Sequence, residues 1–143
     1  MADFEKVNVN PKERKCGDCV IRALAKASGK SWEQVYDELC EIGRKKCRMP
    51  NDDCCVDKWT SDNNFVYCKT LRDRYGNQMT VSEMIDNITD IERCDYSVII
   101  HTKNHLTCAS NGVIYDTWNT SNQKAGYYYI RCNKWKEKFL IVY

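Results

Sequence analysis

Asn111-Gly112 is the feature that most narrows what this chain can fold into. The pair stands between Leu106-Thr107-Cys108-Ala109-Ser110 and Val113-Ile114-Tyr115-Asp116-Thr117-Trp118, two runs of strand character. Asn-Gly supplies the two left-handed residues that a tight β-hairpin turn needs, and between such runs it is the strongest short hairpin signal. A two-residue turn also fixes the register: Ser110 faces Val113, Thr107 faces Asp116 and His105 faces Trp118. Side chains alternate along a strand, so His105, Thr107, Asp116 and Trp118 share one face, with His105 and Asp116 as diagonal neighbours. That mixture is too polar for an ordinary core face.

Near the other end, Gly17-Asp18-Cys19-Val20-Ile21-Arg22-Ala23-Leu24 reads as an abrupt turn opening into a helix. Asp18 fits the N-cap, which puts Cys19 in the first turn. Unpaired amides and the helix dipole there favour a thiolate. A cysteine on a helix start, with a histidine and a carboxylate from a sheet, is the nucleophile, base and orienter set of a cysteine hydrolase. In that reading Cys19 attacks an acyl carbon, His105 takes and returns the proton, and Asp116 fixes the imidazole tautomer. The Cys19 amide supplies one oxyanion donor, and Asn10 and Asn8 are the nearest upstream side-chain amides for a second. Trp118 roofs the imidazole and is the candidate substrate-site residue. His101 has no predicted carboxylate partner, and Asn119, an alternative orienter, falls on the opposite face. Asp18 otherwise reads as a cap alone, and Arg22 as a solvent-facing charge or the partner of an acidic group.

The rest of the chain supplies helices first and strands second. Residues 1–17 are polar and read as an extended arm or loop. The first helix starts at Cys19 and stops at Ser28-Gly29. A second starts at the capping box of Ser31 and Gln34 and carries Trp32, Val35, Tyr36, Leu39, Cys40 and Gly43 at helical spacing. Periodicity fades over about 44–70, which reads as a loop-rich insertion. Thr80 and Glu83 form another capping box ahead of Met84, Ile85 and Ile88. Strands follow over 96–102, in the hairpin, over 126–132 and over 139–143. The expected fold class is α+β: one domain over 1–143, with N-terminal helices packed on a C-terminal antiparallel β-sheet.

Twenty-two basic and 20 acidic residues give a net charge of +2. That balance gives no electrostatic case for nucleic acid or a membrane surface. No apolar run approaches a membrane span, and the start of the chain lacks a leader pattern, so a cytoplasmic protein is expected. With no leader, the ten cysteines are expected to be mostly reduced. Zinc is the competing account, with Cys16-x-x-Cys19 joined by Cys47, Cys54 or Cys55, but no second C-x-x-C exists. No metal or other cofactor is assigned.

Gly17 to Leu24, the upstream Asn10-Pro11, and His105-Leu106-Thr107 leading into Asn111 to Trp118 resemble small papain-like cysteine peptidase domains of bacteria and their phages, akin to peptidases that cleave bacteriocin leaders. The resemblance covers both ends of the chain; about 44–95 carries none of it. It implies a papain-like fold, a peptide or protein substrate, no cofactor, and catalytic roles for Cys19, His105 and Asp116. One departure stands out: such enzymes commonly carry a Gln about six residues before the cysteine, where this chain has Glu13. An ionised carboxylate cannot donate to an oxyanion. Two other functions stay open from sequence. One is a catalytically inactive papain-like binding or inhibitor protein of a phage or mobile element; the other is a zinc-stabilised interaction module.

Overall fold

A computed structural model of the chain describes residues 2–91 and 94–135. The elements run β1 (Asp3–Lys6), α1 (Cys19–Ser28), α2 (Trp32–Lys46), α3 (Asp53–Asp62), β2 (Val66–Cys68), α4 (Val81–Ile91), β3 (Cys94–Thr102), β4 (His105–Ser110), β5 (Val113–Asp116) and β6 (Tyr128–Trp135). The strands form one sheet in the order β1-β5-β4-β3-β6-β2. The class is α+β, as expected, and the expected strand over 139–143 lies outside the described residues.

The sheet is mixed rather than antiparallel. β1 pairs in parallel with β5, Lys6 opposite Asp116, while the other pairings are antiparallel. Asp3-Phe4-Glu5-Lys6 carries too little apolar alternation to read as a strand. It becomes one by adding backbone hydrogen bonds to the free edge of β5, a tertiary effect that local pattern does not encode.

The helices lie on both faces. Leu24, Val35, Leu39 and Trp59 pack with Ile99, Leu106 and Cys108 on one side. Val81, Met84 and Ile85 of α4 pack with Val98, Ile100, Ala109 and Ile114 on the other. Alternation along Val98-Ile99-Ile100 sends successive side chains into opposite cores, which is why this strand is apolar throughout. Of the two expected capping boxes, the second is complete and the first keeps only its serine half, with the Gln34 side chain donating to Glu38 instead. Ser31 Oγ accepts the Gln34 N–H at 3.1 Å, and Thr80 and Glu83 exchange side chain-to-backbone hydrogen bonds at 3.1 and 3.2 Å.

The stretch 44–70 is not loop-rich: it holds α3 and β2. The apolar stripe of α3 is short, with Cys55, Val56, Trp59 and Thr60 buried amid Asp, Lys and Ser, so a periodicity search passes over it. Trp59 is buried and donates its indole N–H to Glu38 at 2.9 Å, tying α3 to α2.

Where α2 ends, Cys47 takes a left-handed conformation and Arg48 N–H returns to the Gly43 carbonyl at 2.9 Å. A Cβ on Gly43 would meet the Arg48 carbonyl oxygen at 2.6 Å. Alanine is the better helix former by about 1 kcal/mol, yet Gly43→Ala is expected to destabilise the protein by about 1–3 kcal/mol because backbone must move. Urea unfolding checks this, and a gain in stability would contradict it.

The hairpin has the expected turn. Ser110 pairs with Val113, Ala109 with Ile114 and Cys108 with Tyr115, and Asn111 and Gly112 both have positive φ, 49° and 87°. A second tight turn, with Asn104 at φ 57°, joins Thr102 of β3 to its partner His105. His105 is thereby the first residue of β4 and Asp116 the last of β5, at the same end of the sheet.

Candidate active site

α1 lies against β4 and also touches β3 and β5. Its buried face, Ala23, Leu24 and Ala27, packs on the side of β4 that carries Leu106 and Cys108. That packing brings the N-terminus of α1 to the rim where β4 begins and β5 finishes. Cys19, His105 and Asp116 meet at this rim.

The imidazole links the other two. His105 Nε2 lies 2.7 Å from Asp116 Oδ2, which leaves Nδ1 for the thiol, and the imidazole lies near enough to Cys19 to act on its pKa. The hydrogen bond to His105 lowers the Cys19 pKa most; burial opposes it, and the Leu106 backbone N–H and the charges of His105 and Arg22 lower it further. Burial alone would lower the His105 pKa, but its bonds to Asp116 and Cys19 and their negative charges raise it to about 9. Burial would raise the Asp116 pKa; hydrogen bonds from His105, Thr107 and the Thr117 N–H, and the imidazole charge, hold it down instead. These directions agree with one another. They favour thiolate, imidazolium and carboxylate side by side.

Trp118 sits where the hairpin register puts it, its ring centroid 5.0 Å from that of His105 at an angle of 46°. It is 43% exposed, so it covers the imidazole on one side and meets solvent on the other. His101 stacks on Tyr127 at 4.7 Å instead, and Asn119 Oδ1 accepts the Ser121 N–H at 3.0 Å in a turn. Asn10 is not aimed at the thiol. Its Nδ2 donates to Asp18 Oδ2 at 3.1 Å and contacts Cys16 Sγ at 3.8 Å, so both amide hydrogens are engaged in holding the loop before α1. Asn8 Oδ1 accepts the Asn10 N–H at 3.0 Å, a second tie within that loop.

Asp18 occupies the N-cap position but makes no side-chain cap bond. Its carboxylate is 5% exposed and accepts instead from Asn10, from Trp32 Nε1 at 2.9 Å and from Arg22. Two consequences follow. The first-turn N–H groups of α1 have no side-chain cap, so the positive end of the helix stays open toward Cys19. Arg22 is also held between two carboxylates, with its second terminal nitrogen 3.9 Å from Asp116 Oδ1. Of the two sequence readings of Arg22 the structure bears out the partner of an acidic group, but sequence reasoning named neither Asp18 nor Asp116 as that partner. The available signal was helical spacing, which puts Arg22 one turn from both Asp18 and Cys19.

No family model matches this chain, and no curated protein or solved structure is significantly similar to it. The site therefore stands on its own geometry. Among the described residues no group of three or more His, Cys, Asp or Glu side chains is placed to hold a metal ion. Cys16 and Cys19 are free thiols, as are Cys40, Cys47, Cys54, Cys55, Cys68 and Cys108, in line with a mostly reduced set, whereas Cys132 is disulfide-bonded. No helix among the described residues is long and apolar enough to cross a membrane.

Cys19, Arg22, Leu106 and Asp116 line a cavity of about 10 Å³, at the lower limit for a single water. Across Arg22 lies an open groove of about 970 Å³, walled by Trp118 and Thr117 on one side and by the loop before α1 on the other. Glu13 lines this groove. A reacting carbonyl between groove and thiol would meet the thiolate, the uncapped α1 amides and the imidazole together.

Proposed function

We propose that this chain is a papain-like cysteine hydrolase that cleaves amide bonds in peptide or protein substrates. The supporting observation is an imidazole held by the Asp116 carboxylate at 2.7 Å on Nε2, beside a Cys19 thiol whose pKa it lowers. Asp116 holds the ring so that Nδ1 carries its proton toward the sulfur and the substrate. The Cys19 thiolate adds to the carbonyl carbon, and the uncapped amides of α1 face the oxyanion that forms. His105 gives its Nδ1 proton to the leaving amine as the C–N bond breaks, leaving a thioester. Water, deprotonated by the now neutral His105, attacks the thioester; the acid leaves and the thiolate–imidazolium pair is restored.

Alkylation across pH tests the reading. Iodoacetamide labelling followed by peptide mass spectrometry is expected to give Cys19 a midpoint below that of the exposed thiols Cys16 and Cys47, which serve as internal references. Hydrolysis has a second limb. As pH rises through about 9, His105 loses the proton the leaving amine needs, so kcat/KM falls there while alkylation of Cys19 stays high. Equal midpoints at all three cysteines would remove the enzyme reading and leave a binding protein built on the same scaffold.

A further inference from the structure

The groove beside the site carries charge of mainly one sign. Lys6, at the end of β1, and Arg14 and Lys15, on the loop entering α1, are exposed and line it. None of the three forms an ion pair within the described residues. The fourth cation on its wall, Arg22, is already matched by Asp18 and Asp116. Against these, the groove's described lining contains Glu13 as its one carboxylate. The chain as a whole is close to neutral, 22 basic against 20 acidic residues, so this excess is local and not a property of the whole surface.

The groove also has a side with respect to the chemistry. Trp118 forms its wall, and the Trp118 ring packs on His105. In the proposed reaction His105 delivers a proton to the leaving nitrogen. The part of the substrate beside Trp118 is then the part that departs with that nitrogen.

We infer that this groove is a leaving-side subsite selecting peptides that carry Asp or Glu within the first few residues after the scissile bond. The inference rests on the hydrolase reading and adds the substrate class. Lys6 and Lys15 meet carboxylates as point charges, while Arg14 has the forked geometry that takes a carboxylate in two hydrogen bonds. All three sit in solvent, so each contact is worth about two- to threefold and the set about tenfold. The preference is salt-sensitive for the same reason. Glu13 limits it by repelling carboxylates that approach the loop side.

The test is a peptide-library digest by the wild-type protein, with Cys19→Ala as the blank and every cut mapped. Matched peptides with Glu-Asp-Glu or Gln-Asn-Gln after the preferred bond are then compared. The expected result is about a tenfold higher kcat/KM for the acidic peptide at 50 mM salt, on the order of the three contacts combined, shrinking several-fold at 500 mM salt. In the double variant Arg14→Glu/Lys15→Glu, checked for an unchanged thermal midpoint, the preference is expected to invert toward a Lys-rich leaving segment. Cys19-dependent cleavage indifferent to these charges, or sensitive to acids only before the scissile bond, overturns the subsite and leaves the hydrolase standing. A library without Cys19-dependent cuts overturns the subsite as well. The alkylation midpoint of Cys19 then decides whether the hydrolase reading falls with it.

Discussion

His105→Gln is expected to lower kcat/KM by about 10³–10⁴-fold, the range for loss of a general acid–base, and to move the alkylation midpoint of Cys19 up toward that of Cys16. Both effects trace to one contact. The hydrogen bond from His105 is the largest influence lowering the Cys19 pKa, with the imidazolium charge adding to it. What remains after substitution is the Leu106 N–H and the more distant Arg22 charge, set against burial, which favours the neutral thiol. Glutamine keeps a polar side chain of similar length, so Asp116 retains a donor and is not left as an unpartnered buried charge. The prediction thus separates chemistry from folding. If the variant kept a depressed Cys19 midpoint and its turnover, the thiol would be activated by the helix terminus alone, and the shared imidazole would be a packing feature.

The sheet half of the site was legible because its geometry is local. Asn111-Gly112 fixes a turn type, the turn fixes a register, and the register puts His105, Asp116 and Trp118 on one side within a span of 14 residues. The position of Cys19 was legible as a helix start for the same reason. What escaped detection depends on distant contacts. β1 is a strand only because β5 offers an edge, and α3 is a helix whose buried stripe is interrupted by charge. Asp18 illustrates the limit best. Local rules give Asp at an N-cap a bond to the N2 or N3 amide. Here Arg22, Trp32 and Asn10 compete for the same carboxylate and win, and only tertiary structure brings Trp32 and Asn10 into reach. The same competition engages the Asn10 side chain elsewhere, so in the proposed reaction the oxyanion role falls to the α1 amides.

Asp18→Ala should therefore affect both stability and activity. Its carboxylate is the common acceptor for a guanidinium, an indole N–H and a side-chain amide, in a site where the aspartate is 5% exposed. Burial would raise its pKa, but the hydrogen bonds from Asn10 and Trp32 and the charge and hydrogen bond of Arg22 lower it instead. Removing it strands Arg22, whose side chain is 14% exposed, and a one-sided break in such a pair costs about 3–5 kcal/mol. Arg22 then has a single carboxylate left within reach, Asp116 at 3.9 Å, and closing on it draws Asp116 from His105. The expected outcome is a loss of about 3 kcal/mol or more in urea unfolding. A fall in kcat/KM should accompany it at temperatures where the variant is still folded, together with an upward shift of the Cys19 midpoint. The acid limb of stability changes too. Because the folded pKa of Asp18 is depressed, its contribution is present above the ordinary aspartate range and disappears as pH falls through the folded value, so the variant's stability should depend less on pH there. In the double variant Asp18→Leu/Arg22→Met no buried charge is stranded. Stability is expected to return in part, while the Cys19 midpoint stays raised because the Arg22 charge is absent. Asp18→Ala with lowered stability but ordinary turnover would mean that Arg22 serves Asp116 without help, and that the carboxylate under α1 is only a fold contact.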